Sequence, residues 1–172
     1  DIDLNHANAD LTLNGTTAKT VSGALYSTTG DADVTTGTNS IWTFAGAVGK
    51  TSAAAAKPLD VVTTGTSSTA TFSSTVNAAT IVTGTSSTAT FTGAVTAATS
   101  LTTGTSSTTV FNSTVAGGAL TIGATSALTL KAPVTLTGKI TTNLGSTITL
   151  GPVFKAGSAA AITGIDADAG LN

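Results

Sequence analysis

The amino-acid sequence predicts an all-β protein folded as a parallel β-solenoid with about 19–20 residues in each coil. Three observations lead to this prediction. Thr, Ala, Gly and Ser supply 106 of the 172 residues, a short string repeats at a nearly constant interval, and apolar residues recur in phase with that string. Because β-branched Thr suits a pleated strand, while the strong helix formers Arg, Glu, Gln and Met are absent, a helical bundle is excluded.

The repeated string is Gly-Thr-Ser-Ser-Thr, which occupies residues 65–69, 84–88 and 104–108. Three series of apolar residues keep the same interval of 19 or 20 residues. The Phe/Leu column comprises Phe72, Phe91, Phe111, Leu130 and Leu150. The Val column comprises Val76, Val95, Val115, Val134 and Phe154. The Ile/Leu column comprises Ile81, Leu101, Leu120 and Ile140.

Within one copy of the repeat, apolar or small residues alternate with polar ones, as at Ala89, Phe91, Gly93 and Val95. This period of two is typical of a half-buried strand. If each copy forms one coil, equivalent side chains lie about 4.8 Å apart along the axis. About eight coils fit into the chain, which gives a rod on the order of 40 Å long. An antiparallel β-sandwich with recurrent hairpins is the alternative, but the strict phase of the columns favours the solenoid.

The sequence is consistent with a single all-β domain over residues 1–172. Residues 1–36 form an N-terminal segment in which the repeat is irregular, and residues 37–154 form the repeat region. An insertion at 49–58 interrupts that region, and residues 155–172 form a C-terminal segment.

The composition argues against several classes of function. The absence of Arg and a net charge of −2 argue against nucleic-acid binding, and no apolar stretch approaches the roughly 20 residues of a membrane span. The absence of Cys excludes a thiol nucleophile. Residues 61–165 hold no acidic residue, so the regular rod cannot carry a catalytic carboxylate pair, and the single His6 is interpreted as a surface residue. We therefore expect no enzymatic activity and no organic cofactor.

Acidic residues occur as D-x-D pairs near both ends of the sequence. Asp1 and Asp3 form one pair, and Asp166 and Asp168 form another. Alternate carboxylates on a strand point to the same side, and Ca²⁺ takes several oxygen ligands. Two interpretations stay open: solvated terminal acids that aid solubility, or a calcium site that bridges two acidic ends.

Two N-x-[ST] sequons are present, at Asn14 and Asn112. They are candidate glycosylation sites, although a chain so rich in Thr and Ser produces such sequons readily by chance.

Pairs of the form T-x-T also recur, as Thr64/Thr66, Thr83/Thr85 and Thr103/Thr105. On stacked coils these pairs would form two parallel columns of hydroxyl and methyl groups. Such a face resembles that of Thr-rich antifreeze solenoids, so ice binding is one functional hypothesis.

Residues 88–99, Thr-Ala-Thr-Phe-Thr-Gly-Ala-Val-Thr-Ala-Ala-Thr, carry a further resemblance. They are similar to the Thr/Gly-rich coils of bacterial surface adhesins and autotransporter passengers, and to phage tail-fibre repeats. The resemblance extends over residues 37–154 and rests on composition. It implies an elongated, non-catalytic role on a secreted, extracellular or cell-surface protein, which a signal peptide removed ahead of Asp1 would match. It transfers no functional residue.

Neither end of the sequence reads as a charged cap for a stack of strands. We therefore expect the terminal segments to pair with other copies of the chain by strand addition, which would make the protein a structural subunit of an extracellular or cell-surface filament. The alternative is the shaft of an adhesin or phage tail fibre, with a surface carbohydrate or receptor as its partner.

Overall fold

Successive coils of the chain stack along one axis in the structure, which is a computed structural model. It describes residues 1–6, 8–29, 31–49 and 57–151, together with the backbone of strand Ile162–Thr163. The strands of this part of the chain are β1 (Ile2–Asp3), β2 (Asp10–Leu13), β3 (Lys19–Val21), β4 (Leu25–Tyr26), β5 (Asp33–Thr36), β6 (Ile41–Phe44), β7 (Leu59–Thr63), β8 (Thr69–Phe72), β9 (Val76–Val82), β10 (Thr88–Phe91), β11 (Val95–Thr103), β12 (Thr108–Phe111), β13 (Val115–Ile122), β14 (Ala127–Leu130), β15 (Val134–Leu136), β16 (Ile140–Thr142), β17 (Thr147–Leu150) and β18 (Ile162–Thr163). None of the described residues is helical.

All of these strands pair in parallel. A seven-stranded sheet runs in the order β3, β6, β8, β10, β12, β14 and β17, and a nine-stranded sheet includes β2 and β18 at opposite ends. Neighbours in each sheet come from successive coils, whereas an antiparallel sandwich would pair strands joined by hairpins. The structure therefore confirms the parallel solenoid. Within the described residues, the seven-stranded sheet corresponds to seven coils, where we expected about eight, and β18 begins a further coil.

The Phe/Leu column forms the predicted ladder. Phe72 lies beside Phe91, and Phe91 lies beside Phe111. Pairing of β3 with β6 and of β6 with β8 extends the column to Val21 and Phe44. The four Phe rings are stacked with centroids 4.7 Å apart and planes within 12° of one another. Identical side chains thus pack against each other along the rod axis.

The Val column is also a ladder, and it begins earlier than the sequence indicated. Its additional members are Ile2, Leu25 and Val48. At the other end, Ile162 lies beside Val134. Phe154, which the spacing placed there, lies outside the described residues.

The Ile/Leu column extends in the same way to Leu11, Val34 and Val62. Strands β1 to β5, which lie within residues 1–36, therefore belong to the same ladders as the regular repeat.

In the first six coils, coil length varies at one corner only. Ten positions separate the Ile/Leu column from the Phe/Leu column in all seven coils, and in the first six coils four positions separate the Phe/Leu column from the next member of the Val column. After Leu150 in the seventh coil, twelve positions lead to Ile162. From the Val column to the Ile/Leu column the separation ranges from five to fourteen. In β11 this corner is a register shift between Ala97 and Ser100, which gives that coil its extra residue. The insertion at 49–58 falls at the same corner, and its residues 50–56 lie outside the described ranges.

Candidate functional site

The two open ends of the solenoid are the candidate functional site. Between the ends, members of the three columns are buried, with exposed fractions of 0–3 %. At the N-terminal end Ile2 is 42 % exposed, and at the C-terminal end Leu150 is 45 % exposed, although Ile140 remains buried. Each end therefore presents apolar side chains of a kind that neighbouring coils cover elsewhere in the rod.

The strands of the end coils are also sheet edges. Within the described residues β1, β2 and β3 each pair with one strand, and so do β16 and β17 at the opposite end. An edge strand presents a row of main-chain N–H and C=O groups that can pair with another strand. Within the described residues, each end of the stack therefore has strands with one unpaired edge.

The two ends have matching geometry. Leu11 and Val21 lie ten positions apart in the first coil, as do Ile140 and Leu150 in the seventh. The strand pair at one end therefore has the spacing needed to continue the pair at the other.

Charge differs between the two ends within one outward-facing column, formed by the residue that precedes each member of the Ile/Leu column. Asp10 and Asp33 occupy this column in the first two coils and lie beside each other. Lys139 occupies it in the seventh coil, next to Ile140, and its carbonyl accepts the Leu120 N–H at 2.9 Å. The N-terminal end of the column is therefore acidic and the C-terminal end is basic.

Asp33 is the acid most affected by this arrangement. Partial burial raises the pKa of its carboxyl above the usual value, the N–H of Val61 opposes that shift by donating to Oδ1 at 3.0 Å, and the carboxylates of Asp10 and Asp60 raise the pKa further. The folded state therefore holds a proton at a pH where the unfolded chain has lost it. Stability should fall as the pH rises from the unfolded pKa through the folded one, and should remain lower above it.

We expect Asp33→Asn to raise the melting temperature by about 2 °C at pH 7, because the amide removes the charge and its oxygen can still accept the Val61 N–H. At pH 3, where the carboxyl of the parent protein is largely protonated, the two proteins should melt at nearly the same temperature. Calorimetry at both pH values tests this, with Asp31→Asn, an exposed acid of the same segment, as the control. Equal effects of Asp33→Asn at the two pH values would contradict it.

The predicted calcium ligands are only partly described. The Asp1 carboxylate accepts the Ala24 N–H at 3.0 Å, and Asp3 is exposed on β1. Asp166 and Asp168 lie outside the described residues. Among the residues that the structure describes, no group of three or more metal-ligating side chains is present.

The two sequon residues lie on the surface. Asn14 is exposed at the first turn between β2 and β3, and Asn112 follows β12 and is half-buried. Glycosylation of either remains a prediction.

The T-x-T pairs do not form the exposed double column that the sequence suggested. Thr64, Thr83 and Thr103 are buried, with exposed fractions of 1–2 %. Each hydroxyl accepts the N–H of the turn glycine in the next coil, as Thr64 does from Gly84 at 3.1 Å. Only the second Thr of each pair is exposed, so this part of the ice-binding hypothesis was wrong.

A different pair of Thr columns faces outward, on the sheet that carries the Phe/Leu column. Thr88 and Thr90 of β10 represent them, with Thr69 and Thr71 in the preceding coil. These columns are not purely Thr, because other residues, such as Val110, interrupt them. The alternation along each strand could have identified them, since Ala89 between the two Thr residues faces the core.

Trp42 and His6 lie in the first two coils. The indole Nε1 of Trp42 is buried and has no hydrogen-bond partner among the described residues, and Lys19 Nζ lies 5.9 Å from the ring centroid. His6 is exposed. As the only Trp of the chain, Trp42 is a fluorescent reporter close to the N-terminal end.

Within the described part of the chain there is no helix long and apolar enough to cross a membrane. A comparison of the chain with protein-family models, with curated proteins and with solved structures finds no significant match.

Proposed function

We propose that the protein is a non-catalytic structural subunit of an extracellular or cell-surface filament, in which copies stack end to end by β-strand addition. The observation that supports this most directly is the exposure of column residues at the ends, Ile2 at one and Leu150 at the other. Complete burial of one such side chain contributes about 1.5–3 kcal/mol. Pairing of the edge strands would add main-chain hydrogen bonds to that apolar contact.

The two ends differ, so their contact is heterologous. A heterologous contact that continues along the same axis does not close into a ring and therefore produces a filament. The stacked Phe rings and the continuous parallel sheets would supply the stiffness of such a filament.

Replacement of Leu150 by Lys should abolish filament growth, because a charged side chain would then be buried at every joint. The subunit itself should remain folded, since Leu150 is 45 % exposed in the single chain. Ile41→Lys is the matched control, because Ile41 is 39 % exposed but faces outward from the second coil. Electron microscopy and light scattering should show filaments for the parent protein and for Ile41→Lys, and folded monomers for Leu150→Lys.

A parent protein that stays monomeric at high concentration would contradict the filament proposal and favour the shaft of an adhesin or tail fibre. Ice binding would have to use the outward Thr columns of β8 and β10, and thermal hysteresis reduced by Thr90→Tyr would favour it.

A further inference from the structure

We infer that the joint between copies has a single register, in which the first coil of an incoming copy takes the place of an eighth coil. This inference rests on the proposed end-to-end assembly and specifies its contact surface. Strand β2 of the incoming copy pairs with β16, and its β3 pairs with β17. Leu11 then lies beside Ile140, and Val21 lies beside Leu150.

The constant spacing within the coil selects this register. Ten positions separate the two columns in both end coils, so one placement continues both columns together. A shift of either strand by one residue would turn its apolar side chains outward, because successive side chains of a strand point to opposite faces. A shift of two residues would leave the apolar side chains on the core face, but the column residues of neighbouring coils would no longer lie beside each other.

The charged column supports the same register. Asp10 immediately precedes Leu11, and Lys139 immediately precedes Ile140. In the inferred joint these two residues become neighbours across the interface, with Cα atoms about 4.8 Å apart. Contact between two N-terminal ends would instead bring together two end coils that each carry Asp10 on their edge strand. The charges therefore favour head-to-tail addition in this register.

The position beside β15 requires an exchange of strands. In the single chain β18 occupies it, with Ile162 beside Val134. Strand β1 carries the Val-column position of the first coil, with Ile2 beside Leu25 on the N-terminal side of β4. Its other edge is the one that would meet β15 of the preceding copy. In the joint, β1 of the incoming copy replaces β18, and Ile2 takes the register position that Ile162 has beside Val134.

Disulfide trapping tests the register directly, because the chain contains no Cys. Thr20 and Thr149 are exposed, and each precedes the end member of the Phe/Leu column. A double variant with Thr20→Cys and Thr149→Cys should form a covalent ladder of dimers, trimers and longer species when its filaments are oxidised, since neighbouring Cα atoms lie within disulfide range. The control variant combines Thr20→Cys with Thr147→Cys, which is exposed and two positions away. The Cα atoms of residue 20 in one copy and residue 147 in the next would be about 8 Å apart. Oxidation of these filaments should therefore give no covalent dimers or longer species.

A charge exchange provides an independent measurement. Asp10→Lys and Lys139→Asp should each raise the critical concentration for assembly at least tenfold at low salt, because each places like charges at every joint. A mixture of the two variants should assemble as readily as the parent protein, since every joint of an alternating filament regains one Asp and one Lys. The chain with both substitutions should also recover.

Removal of residues 152–172, which include β18, tests the strand exchange. Filament growth should become several-fold faster, because the edge of β15 is then free for β1 of the next copy. Trp42 fluorescence and light scattering can follow the rate. Growth that is unchanged or slower would overturn the exchange.

These outcomes separate the register from the proposed function. Two results together would overturn the register while leaving end-to-end assembly intact. The filaments would cross-link through residue 147 or through neither pair, and the charge substitutions would leave the critical concentration for assembly unchanged. Absence of filaments from the parent protein would overturn the proposed function itself.

Discussion

Replacement of Phe91 by Ala is expected to lower the free energy of unfolding by about 3–5 kcal/mol. The side chain is 1 % exposed, and its ring is stacked between those of Phe72 and Phe111 at 4.7 Å on each side. The substitution removes both ring contacts and leaves a cavity. The two neighbouring coils cannot close this cavity, because main-chain hydrogen bonds hold the strands at their spacing. Urea unfolding followed by circular dichroism measures the loss.

Two variants control for this prediction. Phe91→Leu should cost clearly less than Phe91→Ala, because the same column already contains Leu130 in an equivalent place. Thr92→Ala, at the exposed neighbouring position, should change the free energy by less than about 0.5 kcal/mol. A loss below about 1 kcal/mol for Phe91→Ala would show that the Phe stack does not hold the coils together.

Replacement of Gly84 by Ala should have an effect of similar size, about 3 kcal/mol, for a different reason. A Cβ atom at this position would lie 2.5 Å from the carbonyl oxygens of Thr64 and Gly65 in the preceding coil. These are main-chain atoms of a packed turn and cannot move aside as a flexible side chain would. The added methyl group would also weaken the hydrogen bond from the Gly84 N–H to the Thr64 hydroxyl.

The matched control for Gly84→Ala is Thr85→Ala, which changes the next residue of the same turn. Thr85 is exposed, so its replacement should leave the unfolding midpoint nearly unchanged. Thermal unfolding of the three proteins compares them. Equal melting temperatures for Gly84→Ala and the parent protein would mean that the turn at Gly84 has room for a methyl group beside the preceding coil.

The ladders could be predicted from the sequence because a parallel solenoid places like residues over like. Phe72, Phe91 and Phe111 recur at nearly equal intervals, and a ladder of stacked coils satisfies that periodicity directly. The first coils were harder to recognise, since Asn14 begins the first turn where the second to sixth coils have Gly. The separation of ten residues between Leu11 and Val21 was nevertheless present in the sequence.

Side-chain direction at the turns could not be predicted from the period of two. Burial does not alternate strictly along β7, where Leu59 and Val62 are buried, and the strand ends at Thr63. Thr64 points inward and accepts a hydrogen bond, and Thr66 lies in the turn and is exposed. The lack of a charged cap at either end led us to expect strand addition, which stays a prediction. The pairing of Asp10 with Asp33, and the place of Lys139 in the same column, depend on the corner lengths and required the structure.

The corner of variable length has a practical consequence. Because the path from the Ile/Leu column through the Phe/Leu column to the Val column has the same length in the first six coils, extra residues at the remaining corner of these coils leave the stack unchanged. The rod therefore has one long edge on which foreign peptides can be grafted, one for each coil, at intervals of about 4.8 Å. A scaffold for dense linear display of epitopes or enzymes could be built on that edge without redesigning the core.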